Sequence, residues 1–363
     1  MRGDVKNQAS FLSIVGPEQR VPQEHPIRRI KALADAELER LSAEFDAMYA
    51  GGGRPSIPPE SLLKACLLIA LFSVRSERQF CERLNYDLMF RYFLDMGMED
   101  DGFDASSFAK NKERLLKADI ARLFFDGVVR RAKEARLISA EHFTVDGTLI
   151  EAWASAKSFK KKDGTSDKPP DDPGNPTVNF HGEKRSNQTH ESTTDPESRL
   201  ATKAKHQASK LSYAAHALME NRNGLCVDIE LTQCSGTAER EGALTMLDRQ
   251  PARGIHPRTL AADAGYDVMQ FGEELRARSV TPHIAQSRDV RRIRHVVPNH
   301  VAKGRRHRLS QRVRKKVEEI FGWMKTVGGF RKTRYRGQRK TGLWACITAA
   351  AYNLVRLSRL LPA

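Results

Sequence analysis

Three acidic residues occupy sequence contexts that suit the binding of divalent cations. Asp146 and Asp263 each end a short apolar stretch, and a glycine follows one or two positions later. Such a glycine lets a ligand or another backbone approach closely. Glu318 lies in a strongly basic segment, four residues after Arg314 and seven before Lys325. Carboxylates from separate elements can hold a pair of Mg²⁺ or Mn²⁺ ions, and two such ions catalyse phosphodiester transfer.

Each of these residues also has a simpler structural interpretation. Asp146 alone would fit a turn aspartate that caps a hairpin. Glu318 alone would fit an i, i+4 ion pair with Arg314, which stabilises a helix by only about 0.3 kcal/mol. Asp267 competes with Asp263 as the second acidic site, but it is more simply interpreted as the N-cap of the next helix. The sequence therefore favours Asp263.

The excess positive charge is confined to one segment. The formal net charge is +16, and residues 288–340 hold 19 lysines and arginines against three acidic residues. The rest of the chain is balanced. A basic field of this kind suits a polyanion, and nucleic acid is the first candidate. A basic tail that only aids solubility is the alternative, but the apolar periodicity of the segment disfavours it.

The remaining composition argues against several classes of protein. The longest apolar run, residues 65–72, is too short to span a bilayer. No N-terminal stretch has the pattern of a signal peptide. Five scattered cysteines without a CxxC pair favour reduced thiols over a zinc site. We therefore expect a cytoplasmic protein without a membrane partner.

The N-terminal part of the chain is predicted to be helical. Residues 1–25 fit a flexible arm, and 26–140 fit a helical domain for DNA binding or dimerisation. Within it, a capping box at Ser76 opens a short helix, and a basic helix follows at 108–117. This pair fits either a helix-turn-helix DNA reader or an ordinary helical bundle with a solvated basic face.

Beyond residue 140 the pattern becomes that of a ribonuclease-H-like α/β domain, a mixed sheet flanked by helices, which we place at 141–342. It includes a polar insertion at 157–206 that is predicted to be flexible, and an apolar helix closes the chain at 343–363. The predicted elements are strands at 141–149, 211–221 and 225–233, a helix at 238–247, a strand at 259–262, a helix at 267–278, a strand at 280–285 and a helix at 313–326.

The acidic residues and their neighbours resemble the DDE motif of bacterial insertion-sequence transposases, in the superfamily of insertion sequences four and five. Asp146 in Val-Asp-Gly-Thr is similar to the first Asp of that motif, and Asp263 in Ala-Asp-Ala-Gly-Tyr-Asp to the second. The resemblance covers residues 26–356. The helical region and a Val-Glu-x-x-Phe run are similar to the five-like branch.

The third part of the motif is the series Arg314-x3-Glu318-x6-Lys325, which matches the last three members of the family signature Tyr-x2-Arg-x3-Glu-x6-Lys. Gln311 stands where that signature has Tyr, so this chain departs from the family at that contact.

The resemblance implies a DNA transposase that cleaves the ends of an insertion sequence and joins them to target DNA. Asp146, Asp263 and Glu318 would be its catalytic residues and would bind two Mg²⁺ or Mn²⁺ ions. Its partners would be double-stranded DNA, as terminal inverted repeats and target, and a second copy of the chain in a homodimer. Such a protein would be bacterial and associated with the nucleoid.

Several basic residues are candidates for DNA contacts. By their position in the family motif, Arg314 and Lys325 would contact the DNA backbone. The other candidates belong to the same basic segment and are Lys315, Lys316, Arg331, Lys332, Arg334 and Arg336.

Two other functions fit the same residues. A ribonuclease-H-like nuclease would cut DNA without joining it. A transposase-derived DNA-binding protein or regulator would bind DNA without either reaction, although the intact set of Asp146, Asp263 and Glu318 counts against it.

Overall fold

The computed structural model describes residues 16–48, 56–117, 119–162, 185–202, 207–288 and 294–362. Most of the predicted flexible arm lies outside these ranges. Its last part, 16–25, is folded instead: Val21 is buried, and its carbonyl accepts a hydrogen bond from Arg28 Nη2 at 2.9 Å. The prediction of a flexible arm is therefore wrong for this stretch.

Helices make up the N-terminal part of the described chain. In order they are α1 (Pro17–Arg20), α2 (Pro26–Arg40), α3 (Ser42–Ala47), α4 (Pro59–Leu71), α5 (Glu77–Leu84), α6 (Leu88–Phe93), α7 (Ala105–Lys117) and α8 (Ile120–Glu134). Ser76 caps α5 as predicted, because its hydroxyl accepts a hydrogen bond from Gln79 N at 3.1 Å. None of the described helices combines the length and apolarity that crossing a bilayer requires.

The basic helix α7 belongs to a helical bundle. It does not follow α5 after a tight turn, since α6 lies between them. Lys112 of α7 is buried, where it forms an ion pair with Glu77 of α5 and a hydrogen bond with Tyr335 Oη at 3.1 Å. Lys112 therefore has a structural role in the packing of α7, and DNA binding by this pair of helices stays a prediction.

A mixed sheet and its flanking helices make up the rest of the described chain. The strands are β1 (Phe143–Glu151), β2 (Phe159–Lys161), β3 (His190–Ser192), β4 (Arg199–Ala201), β5 (Lys210–Glu220), β6 (Leu225–Gln233), β7 (Thr259–Ala262) and β8 (Thr281–Ile284). The helices are α9 (Ala238–Arg249), α10 (Met269–Ala277), α11 (Asn299–Ala302), α12 (Arg305–Arg314), α13 (Val317–Thr326) and α14 (Gln338–Leu360).

The main sheet has the ribonuclease-H-like order that the sequence predicts. Its long described strands follow one another as β6-β5-β1-β7-β8. The β6-β5-β1 pairs are antiparallel, and the β1-β7-β8 pairs are parallel. The tight connection between β5 and β6 ends at Gly224, whose φ of +64° is a left-handed conformation that glycine adopts at little cost. β4 pairs antiparallel with the first residues of β5, and β2 and β3 pair with each other in a separate two-stranded sheet.

The polar insertion predicted at 157–206 is ordered at its two described flanks. The short strands β2, β3 and β4 lie there, and Asp195 is buried. Its Oδ1 atom accepts hydrogen bonds from Tyr213 Oη at 2.7 Å and from Gly337 N at 3.2 Å. These contacts fix the flank to β5 and to the start of α14, so the prediction of a flexible segment is wrong for these residues. Residues 163–184 and 203–206 lie outside the described ranges.

The C-terminal helix α14 lies between the N-terminal helices and the sheet. Fifteen of its 23 residues are buried, as expected for a helix that is apolar on most sides. It packs against α2, α4, α8 and β6, and one hydrophobic cluster runs through both halves of the chain. It begins at Gln338, directly after Gly337 with a φ of +87°, so the predicted boundary at 342/343 falls inside the helix.

A buried carboxylate joins the helical half of the chain to the sheet. Asp228 of β6 is fully buried and accepts hydrogen bonds from Arg122 Nη1 of α8 at 2.7 Å and Arg249 Nε of α9 at 2.9 Å. Gln250 Nε2 donates a third at 3.1 Å, and Arg253 Nη1 lies at 3.0 Å. Several arginine guanidinium groups therefore share the Asp228 carboxylate as their anionic partner.

We expect Asp228→Ala to lower the free energy of unfolding by about 3–5 kcal/mol, because it leaves several guanidinium groups without their anionic partner. Asp248→Ala is the control. Its carboxylate is 55% exposed and pairs with Arg278, so the loss should stay below about 1 kcal/mol. Urea denaturation measures both values, and equal losses would contradict the structural role of Asp228.

Candidate active site

Asp146 lies on β1 at the point where the parallel pairing of that strand ends. β7 pairs with β1 only at Phe143 and Thr144, while β5 continues alongside to Glu151. The Asp146 side chain is 21% exposed, and its Oδ1 accepts a hydrogen bond from Gly147 N at 2.8 Å. In α/β sheets, ligands collect beyond the ends of parallel strands. Asp146 is in such a place.

Asp263 leaves the sheet at the same end as Asp146. Thr144 of β1 pairs with Ala261 of β7, so each aspartate lies two residues beyond this pair on neighbouring parallel strands. Asp263 opens a short 3₁₀ turn, and its Oδ1 accepts a hydrogen bond from Gly265 N at 2.8 Å. The structure therefore brings together two carboxylates that are far apart in the sequence.

Asp267 is not the N-cap of the next helix, as its local sequence had suggested. α10 begins at Met269, and Asp267 is buried. Its carboxylate accepts hydrogen bonds from Ser287 N at 2.9 Å and Val296 N at 2.8 Å, and lies 2.6 Å from His295 Nδ1. Burial would raise the pKa of Asp267, but these contacts outweigh it and lower that pKa. Asp267 therefore anchors the loop that follows β8.

The helix predicted at 313–326 is interrupted just before Glu318. α12 ends at Arg314 and α13 begins at Val317. Backbone hydrogen bonds across the junction span three residues, as Glu318 N donates to Lys315 O at 3.0 Å. This tighter 3₁₀ winding changes the angle between successive side chains. The prediction of one continuous helix over 313–326 is therefore wrong.

Both helices nevertheless face Asp146. Arg314 Nη1 of α12 lies 3.7 Å from Asp146 Oδ2. Glu318 of α13 and Asp146 line the same cavity of about 860 Å³, with Lys325 and Arg331 in its wall. The Arg314 Nε atom is buried and has no hydrogen-bond partner. A cation and an anion from successive helices thus lie beside Asp146.

The charges around the site affect the pKa of Asp146. Burial raises its pKa to about 6, and the negative charges of Asp263 and Glu318 act in the same direction. The hydrogen bond from Gly147 N and the positive charge of Arg314 oppose this rise without cancelling it. Carboxylates that repel one another in this way would be stabilised by a bound cation.

Two side chains of the family motif position the surrounding elements. Gln311, at the place of the family Tyr, donates hydrogen bonds to Ala262 O at 3.3 Å and to His283 O. It therefore ties α12 to β7 and β8 directly before Asp263. Lys325 Nζ donates to Thr148 Oγ1 at 2.6 Å and joins α13 to β1.

The other basic candidates divide into two groups. Lys315, Arg331, Lys332 and Arg336 are exposed. In contrast, Lys316 Nζ donates to Asn221 O at 3.0 Å, and Arg334 Nη2 donates to Val74 O at 2.7 Å in the helical half. Lys316 and Arg334 thus bind the protein itself, and their contacts with DNA stay a prediction.

An exposed aromatic residue that the sequence did not single out lies near this surface. Trp153, two residues after β1, is 48% exposed, and Lys332 Nζ lies 5.3 Å from the centre of its ring. An aromatic face next to cations is a common arrangement for contact with nucleobases. No local pattern marked Trp153, since its neighbour Lys332 is far away in the sequence.

A fourth carboxylate, also missed from the sequence, belongs to the same region. Glu239 lies in the first turn of α9. Partial burial, and then the charges of Asp263 and Asp146, raise the pKa of Glu239. Its local sequence, Ser-Gly-Thr-Ala-Glu, is that of an ordinary helix start, so only the packing of α9 on the sheet reveals this proximity.

The donor set fits magnesium or manganese. Among the described residues, no three His, Cys, Asp or Glu side chains converge closely enough to form a metal cage by themselves. Mg²⁺ seldom needs one, because it is usually held by one or two carboxylates and completes its octahedron with water and substrate phosphate. Asp146, Asp263 and Glu318 supply hard oxygen ligands of this kind.

Three solved transposase structures are similar to the chain over most of its length. The piggyBac transposase synaptic complex with hairpin DNA is 11% identical, and the match covers 93% of this chain and 75% of that chain with a TM-score of 0.43. The Mos1 transposase paired-end complex with left transposon end is 10% identical, and the match covers 88% of this chain and 84% of that chain with a TM-score of 0.22. The Mos1 mariner paired end complex with Mn is 10% identical, and the match covers 89% of this chain and 86% of that chain with a TM-score of 0.22. Likenesses this weak carry no argument about this chain. No curated protein matches the sequence.

The family models are more informative. A transposase domain (DUF772) matches residues 16–114, which correspond to the helical half. The transposase DDE domain matches residues 140–354, more than half of the chain, and this range includes both aspartates and Glu318. The chain therefore belongs to the transposase DDE domain family.

Proposed function

We propose that the protein is a cut-and-paste DNA transposase of the five-like branch in the superfamily of insertion sequences four and five. The observation that carries this proposal is the register of two parallel strands, which releases Asp146 and Asp263 side by side at one end of the sheet. Glu318 lines one cavity with Asp146, and Arg314 Nη1 lies 3.7 Å from Asp146 Oδ2. This arrangement suits the hydrolysis and transfer of phosphodiesters.

Asp146, Asp263 and Glu318 would hold two Mg²⁺ or Mn²⁺ ions, which activate the attacking oxygen and stabilise the leaving oxygen when bound. The oxygen of a water molecule attacks the phosphorus at the element's end, the bond to the 3′ oxygen breaks, and a 3′-OH is released. The oxygen of that 3′-OH then attacks a phosphorus of the target DNA, the bond from this phosphorus to the 3′ oxygen of the target strand breaks, and the leaving oxygen takes up a proton to become a target 3′-OH. Arg314 and Lys325, beside the carboxylates, would bind phosphate oxygens.

The partners of this reaction would be double-stranded DNA, first as terminal inverted repeats and then as target. Two copies of the chain would hold the two ends in a homodimer. In a bacterial cell such a protein would work in the cytoplasm, on the nucleoid.

The catalytic assignment predicts that Asp146→Asn and Glu318→Gln each reduce strand transfer by more than about 100-fold, because each removes a ligand from a site that contributes several kcal/mol. DNA binding should survive both changes. The assay uses supercoiled target plasmid and DNA carrying the element's ends. Glu319→Gln is the control, since Glu319 is exposed and pairs with Arg356.

The same assay separates the alternatives. Cleavage of the ends without joined product would indicate a nuclease. Specific binding without cleavage in the unaltered protein would indicate a DNA-binding regulator. Undiminished strand transfer by Asp146→Asn would refute the assignment of the catalytic residues.

The exposed cations should contribute to DNA affinity through phosphates. Arg331→Ala and Lys332→Ala are each expected to weaken DNA binding and to reduce the slope of log K against log salt by about 0.9 for each lost phosphate contact. In Arg334→Ala the slope should stay unchanged while the melting temperature falls, because Arg334 binds Val74 O. Fluorescence anisotropy at several salt concentrations tests this contrast. If Arg334→Ala alone altered the salt slope, the phosphate contact would belong to Arg334 and not to Arg331 or Lys332.

The raised pKa of Asp146 predicts a pH dependence of metal binding. Because this carboxyl holds a proton up to about pH 6, protons compete with cations below that value. Mn²⁺ affinity, measured by calorimetry, should fall roughly tenfold per pH unit from pH 6 to 5 and level off above pH 7. Asp146→Asn should bind weakly at every pH. A Mn²⁺ affinity that is constant from pH 5 to 7.5 is incompatible with this role.

A further inference from the structure

A row of three arginines lies along one side of α12. Arg305, Arg308 and Arg312 are spaced by three and then four residues, so they share one face of the helix. All three are exposed, and Leu309 between them is 54% exposed. We call the surface formed by these four residues the outer face of α12.

The opposite side of α12 is fixed to the sheet. His307 is buried, and its Nε2 atom lies 3.0 Å from Ile284 O of β8. Gln311, one turn later, donates to Ala262 O of β7 at 3.3 Å. These contacts determine which side of the helix rests on the protein, so the fold itself directs the arginines of the outer face into solvent.

The chain around the outer face does not neutralise its charge. Residues 299–317 contain eight lysines and arginines and no acidic residue. Arg314 lies near Asp146, but within the described ranges no carboxylate pairs with the three arginines of the outer face. Like charges one turn apart destabilise a helix, and so do cations in its first turn, where Arg305 lies. The arginines therefore weaken α12 in the free protein, and an anionic partner would remove this repulsion.

The outer face leads toward the catalytic carboxylates from its own side. α12 ends at Arg314, whose Nη1 lies 3.7 Å from Asp146 Oδ2. α12 packs mainly on β7 and β8, whereas α13 packs on β1 and β5. The cavity that contains Asp146 and Glu318 lies on the α13 side, and its described wall includes no residue of α12. A concave surface and a convex one thus meet at Asp146.

We propose that the outer face of α12 binds the phosphate backbone of an intact target duplex. This inference rests on the proposed function, in which two DNA segments meet at one site. A concave cavity suits the end of a strand, whereas a convex helix face suits a duplex that is not interrupted.

The chemistry of the row favours phosphates over bases. No neighbouring side chain holds the three guanidinium groups in the fixed geometry that base recognition requires, so they suit DNA of any sequence. From Arg305 to Arg312 the helix rises by about 10 Å. A duplex carries roughly six phosphates over this length of its axis, which is enough for each arginine to contact one.

Binding of a random-sequence duplex that lacks the element's ends tests this inference without catalysis. In EDTA, we expect Arg308→Gln/Arg312→Gln to bind this duplex about tenfold more weakly than the unaltered protein at about 0.1 M salt. The slope of log K against log salt should fall by about 1.8, or about 0.9 for each lost phosphate contact. Fluorescence anisotropy measures both quantities. Unchanged affinity and slope in the folded variant would overturn the inference and leave the proposed function intact.

The matched control is Arg339→Gln/Lys340→Gln, which removes the same charge from the same basic segment. These two cations already bind Asp119 and Glu113, so the affinity and the slope should stay nearly unchanged. An equal loss in the control would mean that only the net charge of the protein matters, and would overturn the role of the outer face.

Two further measurements exclude other roles for these arginines. The melting temperature of Arg308→Gln/Arg312→Gln without DNA should be unchanged or higher, because repulsion along α12 is removed. A clear fall would assign the arginines to the support of the helix and contradict the inference. Arg308→Lys/Arg312→Lys keeps the charge and should retain most of the affinity. A loss as large as that of the glutamine variant would indicate base recognition instead of phosphate contacts.

Strand transfer then distinguishes the target from the element's ends. Arg308→Gln/Arg312→Gln should release the 3′-OH at the ends at the normal rate but join it to target DNA several-fold more slowly, and more target DNA should restore joining. Equal loss of cleavage and joining would place the element's ends on the outer face, which would overturn this inference while the proposed function stands. If the unaltered protein binds DNA but neither cleaves nor joins it, the proposed function itself fails.

Discussion

The partial burial of Asp146 beside other carboxylates at one end of a sheet is the constraint on which this site depends. Asp146 and Asp263 are adjacent because β1 and β7 are parallel neighbours in register, and Glu318 approaches from α13. Like charges in a partly buried place would separate if the backbone allowed it. Hydrogen bonds from Gly147 N and Gly265 N and the cation of Arg314 fix them instead.

The frame that opposes this repulsion extends well beyond the site. Asp228 binds cations from both α8 and α9, and α14 is packed by the sheet on one side and by the N-terminal helices on the other. Gln311 and Lys325 join α12 and α13 to the strands that carry the acidic residues. The helical half of the molecule thus supports the sheet directly. Small displacements of α8 or α14 would be transmitted to the site through packed contacts.

The basic segment has two roles that charge alone does not distinguish. Part of it is exposed: Arg331 lies in the wall of the cavity, and Lys332 lies over the ring of Trp153. Another part is internal, since Arg334 and Lys316 satisfy backbone carbonyls of other elements. The electrostatic field of the segment favours a polyanion.

The sequence by itself determined the elements whose signals are local. The apolar stretches that end in Asp146 and Asp263 and the apolar pattern of α14 each depend on residues a few positions apart, so the order of the elements along the chain and the motif followed from them. Tertiary structure decided what depends on distant partners: the burial of Asp267 and Lys112, the break between α12 and α13, and the approach of Glu239 to the aspartates. Local propensity does not encode these features, because each is set by the surface on which a helix or loop packs.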